Sequence, residues 1–487
     1  MNNNTKKLDT EKILFLTDIP PCKNYTGGIM LSWLIRFLLE EKKQIDCFCV
    51  INKELKPKLY ESIISDINMV TYYKNGEDLK LLNLSKKQYY LEIRKLERSL
   101  LKYIKKNKIS KIVCTIQGET ILSLINSIRK NTKLEYIVQI WDPIEWWIKE
   151  HHFDNYRKEK VLKMYEEVIS NAKCCITTSD AMKKEYSTRY KIKCKKVMPP
   201  LEVFEKPDIS NNKTEKEFVI SMAGQVYAKE ETKKFLDALD EMKWQYKGKS
   251  IIFKHYGNWC DNYIDLNVYN KEDKIRVLTT KFLPQEKLFE KLVYSDLLYC
   301  PYFFSEDEVY KKVSKLSFPS KLVTYMSLGI PILLHAPMYA SPYKFLKNEN
   351  AAYLIDTIDK KDIIRKIKSI MDTSDDKKNI LIKNSKKLFL KNFDYKIVKK
   401  SFFDALEINY SNSKKLRILE VNNVDLPGRR FNGFDLQEMI NKETNHSAKQ
   451  IVTYKTSDNK NVLEFYKSKE SLEKEWLLNN NEYEELS

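Results

Sequence analysis

Glycine is scarce in this chain, with only 10 in 487 residues, and that scarcity sets each one apart. It rules out repetitive glycine-rich architectures and makes every strand-to-helix turn that carries a glycine worth inspecting. Cysteine is present nine times, an odd number, without a C-x-x-C pair, and mostly inside apolar runs such as "IDCFCVI" and "AKCCITT". This composition fits buried thiols in a reducing compartment and excludes a disulfide framework or a zinc ribbon. Only five histidines occur, at 151, 152, 255, 335 and 446, and none falls in a metal-ligand spacing, so metal catalysis is not expected. No run of about 18 apolar residues exists, and the start "MNNNTKKLDTEK" has no apolar signal region. The expectation is a cytoplasmic protein, soluble or peripheral to the inner face of a membrane.

What is present is lysine and a large apolar fraction. Lys and Arg total 86 against 67 Asp and Glu, a formal charge of +19, while hydrophobic residues make up 43%. The apolar share is enough for globular domains, and the length points to two or three of them. The charge asks for an anionic partner: nucleic acid, a membrane surface or a phosphorylated small molecule. Lysine enrichment along the whole chain accounts for the charge equally well.

Apolar strand-like runs alternate with amphipathic helical runs from residue 12 onward, the grammar of a parallel α/β sheet. Strands are predicted at "KILFLTD", "IDCFCVI", "KIVCTI", "EYIVQIW" and "CCITTS", and a long basic helix at about Lys87 to Lys106. Pro199-Pro200 and the polar run that follows read as a linker. The same grammar restarts with "FVISMAG", "SIIFKHYG", "DLLYCPYF" and "IPILLHA". The fold class is therefore α/β, two Rossmann-like domains facing a cleft, with a small C-terminal α/β segment. The expected boundaries are 1–198, 199–393, a helix crossing back over 394–410, and an accessory segment or partial repeat over 411–487. That last segment echoes residues 12 to 39: each reads strand, Asp, Pro, glycine and helix.

Ligands of open α/β proteins sit at the carboxyl ends of the strands, so the loops there are the candidates. Gly27-Gly28 is the chain's only Gly-Gly and opens a helix. Gly224 ends a strand just before Lys229 begins the next helix. In "FPSKLVTYMSLGIPILLHAP", Pro319 suits a first helical position, Ser320 and Lys321 bring a hydroxyl and an ammonium to the helix start, and Gly329 and Pro331 stop it. Free N–H groups, a helix dipole and an ammonium at one point suit a phosphate. None of the three is a G-x-G-x-x-G or a P-loop, which disfavours dinucleotide oxidoreductases and P-loop NTPases.

In that order, these loops resemble the retaining GT-B glycosyltransferases often called glycosyl transferases group 1, or family four, over about residues 12 to 410. "PSKLVTYMSLGIPIL" is similar to a Pro-Ser-Lys-x-x-Glu-Tyr-Met-x-x-Gly-x-Pro signature of one branch. "GQVYAKEETKKFLDALDEM", "IVQIWDP" and the helices closing at "YKIVKKSFFDALEI" resemble further segments of it. The resemblance implies a nucleotide-diphosphate sugar as donor substrate, no separate cofactor, and a glycan, lipid-linked or protein-linked hydroxyl as acceptor in surface polysaccharide or glycoconjugate synthesis. It implies that Gly27 and Gly28 underlie the donor diphosphate, with Gly224, Gln225 and Tyr325 beside it. Lys229, Ser320 and Lys321 would bind its oxygens, Thr324 would face the ribose, and Asp142 would line the sugar or acceptor side. The leaving phosphate of such enzymes is proposed to help take the acceptor proton, so a pair of catalytic carboxylates is not required.

Four positions depart from the family pattern. Thr324 stands where Glu accepts from ribose hydroxyls, Leu316 where the earlier Glu of a Glu-x7-Glu pair falls, Gln225 in place of Arg, and Trp141 in place of His. They leave open a GT-B protein with weakened turnover acting as a partner subunit; nucleic-acid binding rests on charge alone. Acidic residues Glu306, Asp307 and Glu308 precede the signature and could compensate or be solvated. "WDPIEWW" could stack on sugars, meet a lipid interface or pack in the core. The stretch "RKLERSLLKYIKKNKISK" could lie on an anionic membrane or be a solvated helix face.

Overall fold

The computed structural model describes residues 11–74, 86–201, 216–271, 274–408, 417–426, 433–443 and 447–465. The chain forms two compact units, 1–409 and 410–487, each treated by itself.

The first unit holds two parallel sheets. One contains β1 (Lys12–Thr17), β2 (Gln44–Asn52), β3 (Asn68–Lys74), β4 (Lys111–Thr115), β5 (Glu135–Gln139), β6 (Cys174–Thr177) and β7 (Cys194–Lys196), in the order β3-β2-β1-β4-β5-β6-β7. The other contains β8 (Glu217–Ala223), β9 (Gln245–Tyr246), β10 (Lys249–Tyr256), β11 (Val277–Thr280), β12 (Leu297–Pro301), β13 (Ile332–His335) and β14 (Tyr353–Ile355). Its order is β11-β10-β8-β12-β13-β14, with β9 antiparallel on β10. Inner strands such as β1, β4 and β12 are buried along nearly their whole length, because helices cover both faces of a parallel sheet. The sequence marked these strands by continuous apolar runs. It did not mark β3, β7, β11 or β14, the edge strands, of which β7 and β14 are only three residues long and β3 and β11 carry more polar residues; in β11 only Val277 is buried.

The helix Tyr395–Leu406 returns from the second lobe to the first. Its Lys399 Nζ reaches Glu40 at 2.8 Å and Glu41 at 2.9 Å, and Lys111 of β4 donates to the Leu406 carbonyl at 2.7 Å. Tyr395 and Phe402 meet the rings of Trp33 and Phe37. A cation on the last carbonyls of a helix answers both its orphan acceptors and its dipole.

The short helix of the signature spans Ser320–Leu328. Pro319 is its N-cap, with φ −73° and ψ 118°, and is not its first helical residue as expected. Proline's fixed φ suits either position; the extended ψ decides. Gly329 ends the helix at φ +66°, the left-handed conformation that favours glycine.

The second unit is a small parallel sheet, β15 (Arg417–Val424), β16 (Ser447–Tyr454) and β17 (Val462–Glu464), ordered β15-β16-β17, with the helix Phe434–Glu443 packed on β16. Phe434, Val452 and Val462 form its core. Most of the expected linker, 202–215, and the loop 427–432 lie outside the described residues.

Candidate functional site

Gly224 follows β8 at φ +82°, a conformation a side chain would strain. Its N–H donates to Tyr256 O at 2.8 Å and its carbonyl accepts from His255 Nε2 at 2.7 Å. His255 is fully buried and neutral, since burial pushes its pKa down to about 4, and its Nδ1 has no hydrogen-bond partner among the described residues. A Cβ on Gly257 (φ +148°) would come within 2.7 Å of the Gly224 carbonyl carbon, so the ends of β8 and β10 touch backbone to backbone.

Onto this turn comes Lys321. Its Nζ donates to Gln225 O at 3.2 Å and lies 4.5 Å from the centre of the Tyr227 ring. Burial lowers the ammonium to about 8, with only the Cys300 thiol opposing. The helices that begin at Lys229 and Ser320 both lack a side-chain cap, having Ala228 and Pro319 at the N-cap. Lys229 and Gln225 are exposed, and Ser320 and Thr324 part-buried. Tyr325 is otherwise employed: its hydroxyl, fully buried, accepts from Ala223 N at 2.8 Å and donates to Tyr299 O at 3.2 Å. It clamps β8 to β12 and supports the turn from behind.

Gly27 and Gly28 lie in the first turn of the helix Thr26–Glu40 and are buried. A Cβ at Gly27 would meet the Trp141 ring, with one ring carbon at 2.6 Å, and one at Gly28 would meet Cys22 Sγ and come within 2.7 Å of Pro20 O. Close packing is thus a sufficient reason for both glycines. It also explains Trp141, which fills the space over Gly27 while its carbonyl accepts from Thr178 at 3.2 Å. Asp142 follows; burial raises its carboxyl and the Ser317 hydroxyl of the second lobe partly offsets this. No hydrogen bond or ion pair joins Gly27 or Gly28 to Lys229 or Lys321 among the described residues.

Within the acidic stretch Glu306 and Glu308 are exposed, whereas Asp307 is part-buried and paired. Asp307 caps the helix Glu308–Leu316, accepting from Val309 N at 3.0 Å, and pairs with Lys149 of the first lobe. Tyr310 donates to Glu150 at 2.5 Å, Lys312 pairs with Glu145 at 2.5 Å, and Ser179 donates to the Leu316 carbonyl. Leu316 itself belongs to the core of the first lobe. An apolar residue at that position is therefore explained by lobe-to-lobe packing. In "WDPIEWW", Trp147 packs on His151 and Phe153.

Glu231 carried no signal in the sequence. It is 3% exposed in the first turn of the helix Lys229–Glu241, and one carboxyl oxygen accepts from Phe304 N at 2.6 Å. Burial pushes its pKa up to about 7. It ties the Gly224 turn to the loop that leads to Asp307. The hydroxyl of Tyr227 and Nε2 of Gln139 are buried without hydrogen-bond partners among the described residues. Orphaned polar atoms of this kind are uncommon, because most buried polar groups find a partner.

No protein-family model and no curated protein matches this chain. Solved structures do. Sucrose-phosphate synthase from Thermosynechococcus elongatus is 13% identical over 81% of this chain and 98% of its own, with a TM-score of 0.60. The UDP-forming α,α-trehalose-phosphate synthase from Burkholderia vietnamiensis is 10% identical over 82% and 99%, with a TM-score of 0.58. The fold is GT-B. Anabaena HepE, solved in complex with UDP and glucose, is also similar, 13% identical over 82% and 99% with a TM-score of 0.56. In GT-B terms, the Gly224 turn, Lys321 and the uncapped helix starts lie at the carboxyl edge of the second sheet, and Asp142 at that of the first.

Proposed function

We propose that this protein transfers a sugar, with retention, from a nucleotide-diphosphate donor to a hydroxyl of a glycan, lipid-linked or protein-linked acceptor in surface polysaccharide or glycoconjugate synthesis. The observation that carries the reading is the junction of Lys321 with the Gly224 turn, where its ammonium donates to the Gln225 carbonyl between two helix starts that lack a side-chain cap. The likeness to HepE, solved with UDP and glucose, supports a nucleotide-sugar donor.

In this reading the bond from the anomeric carbon to the diphosphate breaks, a bond to the acceptor oxygen forms, and the proton of the acceptor hydroxyl passes to an oxygen of the leaving diphosphate. Negative charge collects on the leaving diphosphate, where Lys321, Lys229, Ser320 and the helix N–H groups stabilise it without a metal ion. Asp142 and Trp141 border the acceptor side, and Thr324 makes a single uncharged contact with the ribose. The test is incubation with UDP-, GDP- and ADP-sugars, with and without a chelator, following donor hydrolysis, transfer and product anomer by NMR. Failure of well-folded protein to bind any nucleotide or nucleotide sugar ends the reading. Binding without turnover moves it to a partner subunit, a role that Thr324 in place of a carboxylate favours.

A further inference from the structure

The helix Lys86–Asn107 is the longest in the described chain, and its two sides differ sharply. Tyr89, Ile93, Leu100 and Ile104 are buried against the first lobe. On the opposite side, Arg94, Lys95, Arg98, Lys102, Lys105 and Lys106 are all exposed. At 3.6 residues per turn they fall within an arc of about 120° that extends about 18 Å, with Leu91 on its midline about one turn before Arg94. Leu91 is itself 46% exposed. No carboxylate lies inside the arc: Glu92 sits on its flank, and Glu97 turns to the side, facing Arg94 and Lys130. Lys95, Arg98, Lys102, Lys105 and Lys106 make no ion pair among the described residues.

A solvated helix in a lysine-rich protein would carry cations interspersed with anions. Sorting them into one arc without a carboxylate concentrates positive potential on a convex face, and several Arg or Lys on one face of an amphipathic helix suit anionic headgroups. The aromatic residues of the helix are turned to the protein: Tyr103 donates to Asp46 at 2.8 Å, Tyr89 is buried, and Tyr90 lies under Lys160. The arc therefore offers no ring for base stacking, while Leu91 offers an apolar tip to a bilayer.

We propose that the Arg94–Lys106 face of this helix is a docking surface for an anionic lipid bilayer. It rests on the helix itself and does not depend on the transferase reading. The test is sedimentation of the full chain with vesicles of phosphatidylcholine, with and without phosphatidylglycerol, at about 0.1 M salt. Binding is expected to the anionic vesicles only and to be lost at high salt. The triple reversal K95E/R98E/K102E is expected to lower the partition coefficient by at least about a hundredfold, roughly fivefold for each cation removed. The reversal K366E/K377E/K383E, on exposed lysines of the second lobe with the same change in charge, should lower it less than about threefold. If the first variant does not fold by circular dichroism, K95Q/R98Q/K102Q takes its place. The proposal is overturned if the wild type ignores anionic vesicles, binds neutral ones equally, or loses as much in the control. It is overturned equally if the arc serves an oligonucleotide more tightly than the vesicles.

Discussion

If Lys321 binds a diphosphate, its depressed pKa gives that binding a pH signature. In the free protein the ammonium titrates at about 8, lowered by burial. A bound dianion favours the charged form and raises it. Binding is then strongest below about pH 8 and weakens as the pH rises through that value, because the proton must be supplied before the contact can form. The protonated fraction falls from about 90% at pH 7 to about 10% at pH 9, so the affinity falls about tenfold over that interval. A phosphate is already about 90% ionised at pH 7, its second pKa being near 6, so its own titration changes little over the interval. Lys321→Arg keeps its charge throughout and should give a flat profile, whatever its absolute affinity. Lys321→Met removes a charge-assisted hydrogen bond of about 1.5–3 kcal/mol, a loss of about ten- to a hundredfold. Isothermal titration with UDP, GDP and ADP at pH 7, 8 and 9 reads all three. Wild-type and arginine profiles that run parallel, or a methionine variant that binds as tightly as the wild type, would refute the placement of Lys321 at the diphosphate.

Glu231 should make the second lobe sensitive to pH in the opposite sense from an ion-paired carboxylate. Its folded pKa of about 7 exceeds the ordinary 4.5, so its stabilising share is present at low pH and is lost as the pH rises from about 4.5 to about 7. The swing is about 3 kcal/mol; Glu231→Gln removes it, and the melting temperature of the variant should gain several degrees on the wild type between pH 5 and 8. Equal shifts in both proteins would show that the carboxyl is not held protonated. Gly27→Ala should cost about 1–3 kcal/mol by driving a methyl into the Trp141 ring, and the added change Trp141→Leu should recover part of it in thermal melts. An unchanged melt with lost nucleotide binding would sink the packing account and return Gly27 to the ligand.

The sequence alone determined the alternation of buried strands and helices, because a parallel sheet covered on both faces demands continuous apolar runs, and β1, β4, β8 and β12 have them. It also placed the turn at Gly224 and the stop at Gly329, where a scarce glycine coincides with a left-handed residue, whereas Lys191 and Glu407 adopt the same conformation at helix ends without any such signal. The tertiary structure decided what the neighbours of these landmarks do. Glu231 looked like any helical glutamate until the fold buried it under Phe304 N, and Leu316 looked like a lost carboxylate until it proved to sit in the core of the other lobe. Gly27 reads as an anion turn in one dimension and as the floor of a tryptophan in three. Local conformation is written in local residues. Which side chain is desolvated, and by what, depends on partners as far apart in the chain as Glu40 and Lys399, and no local pattern encodes that.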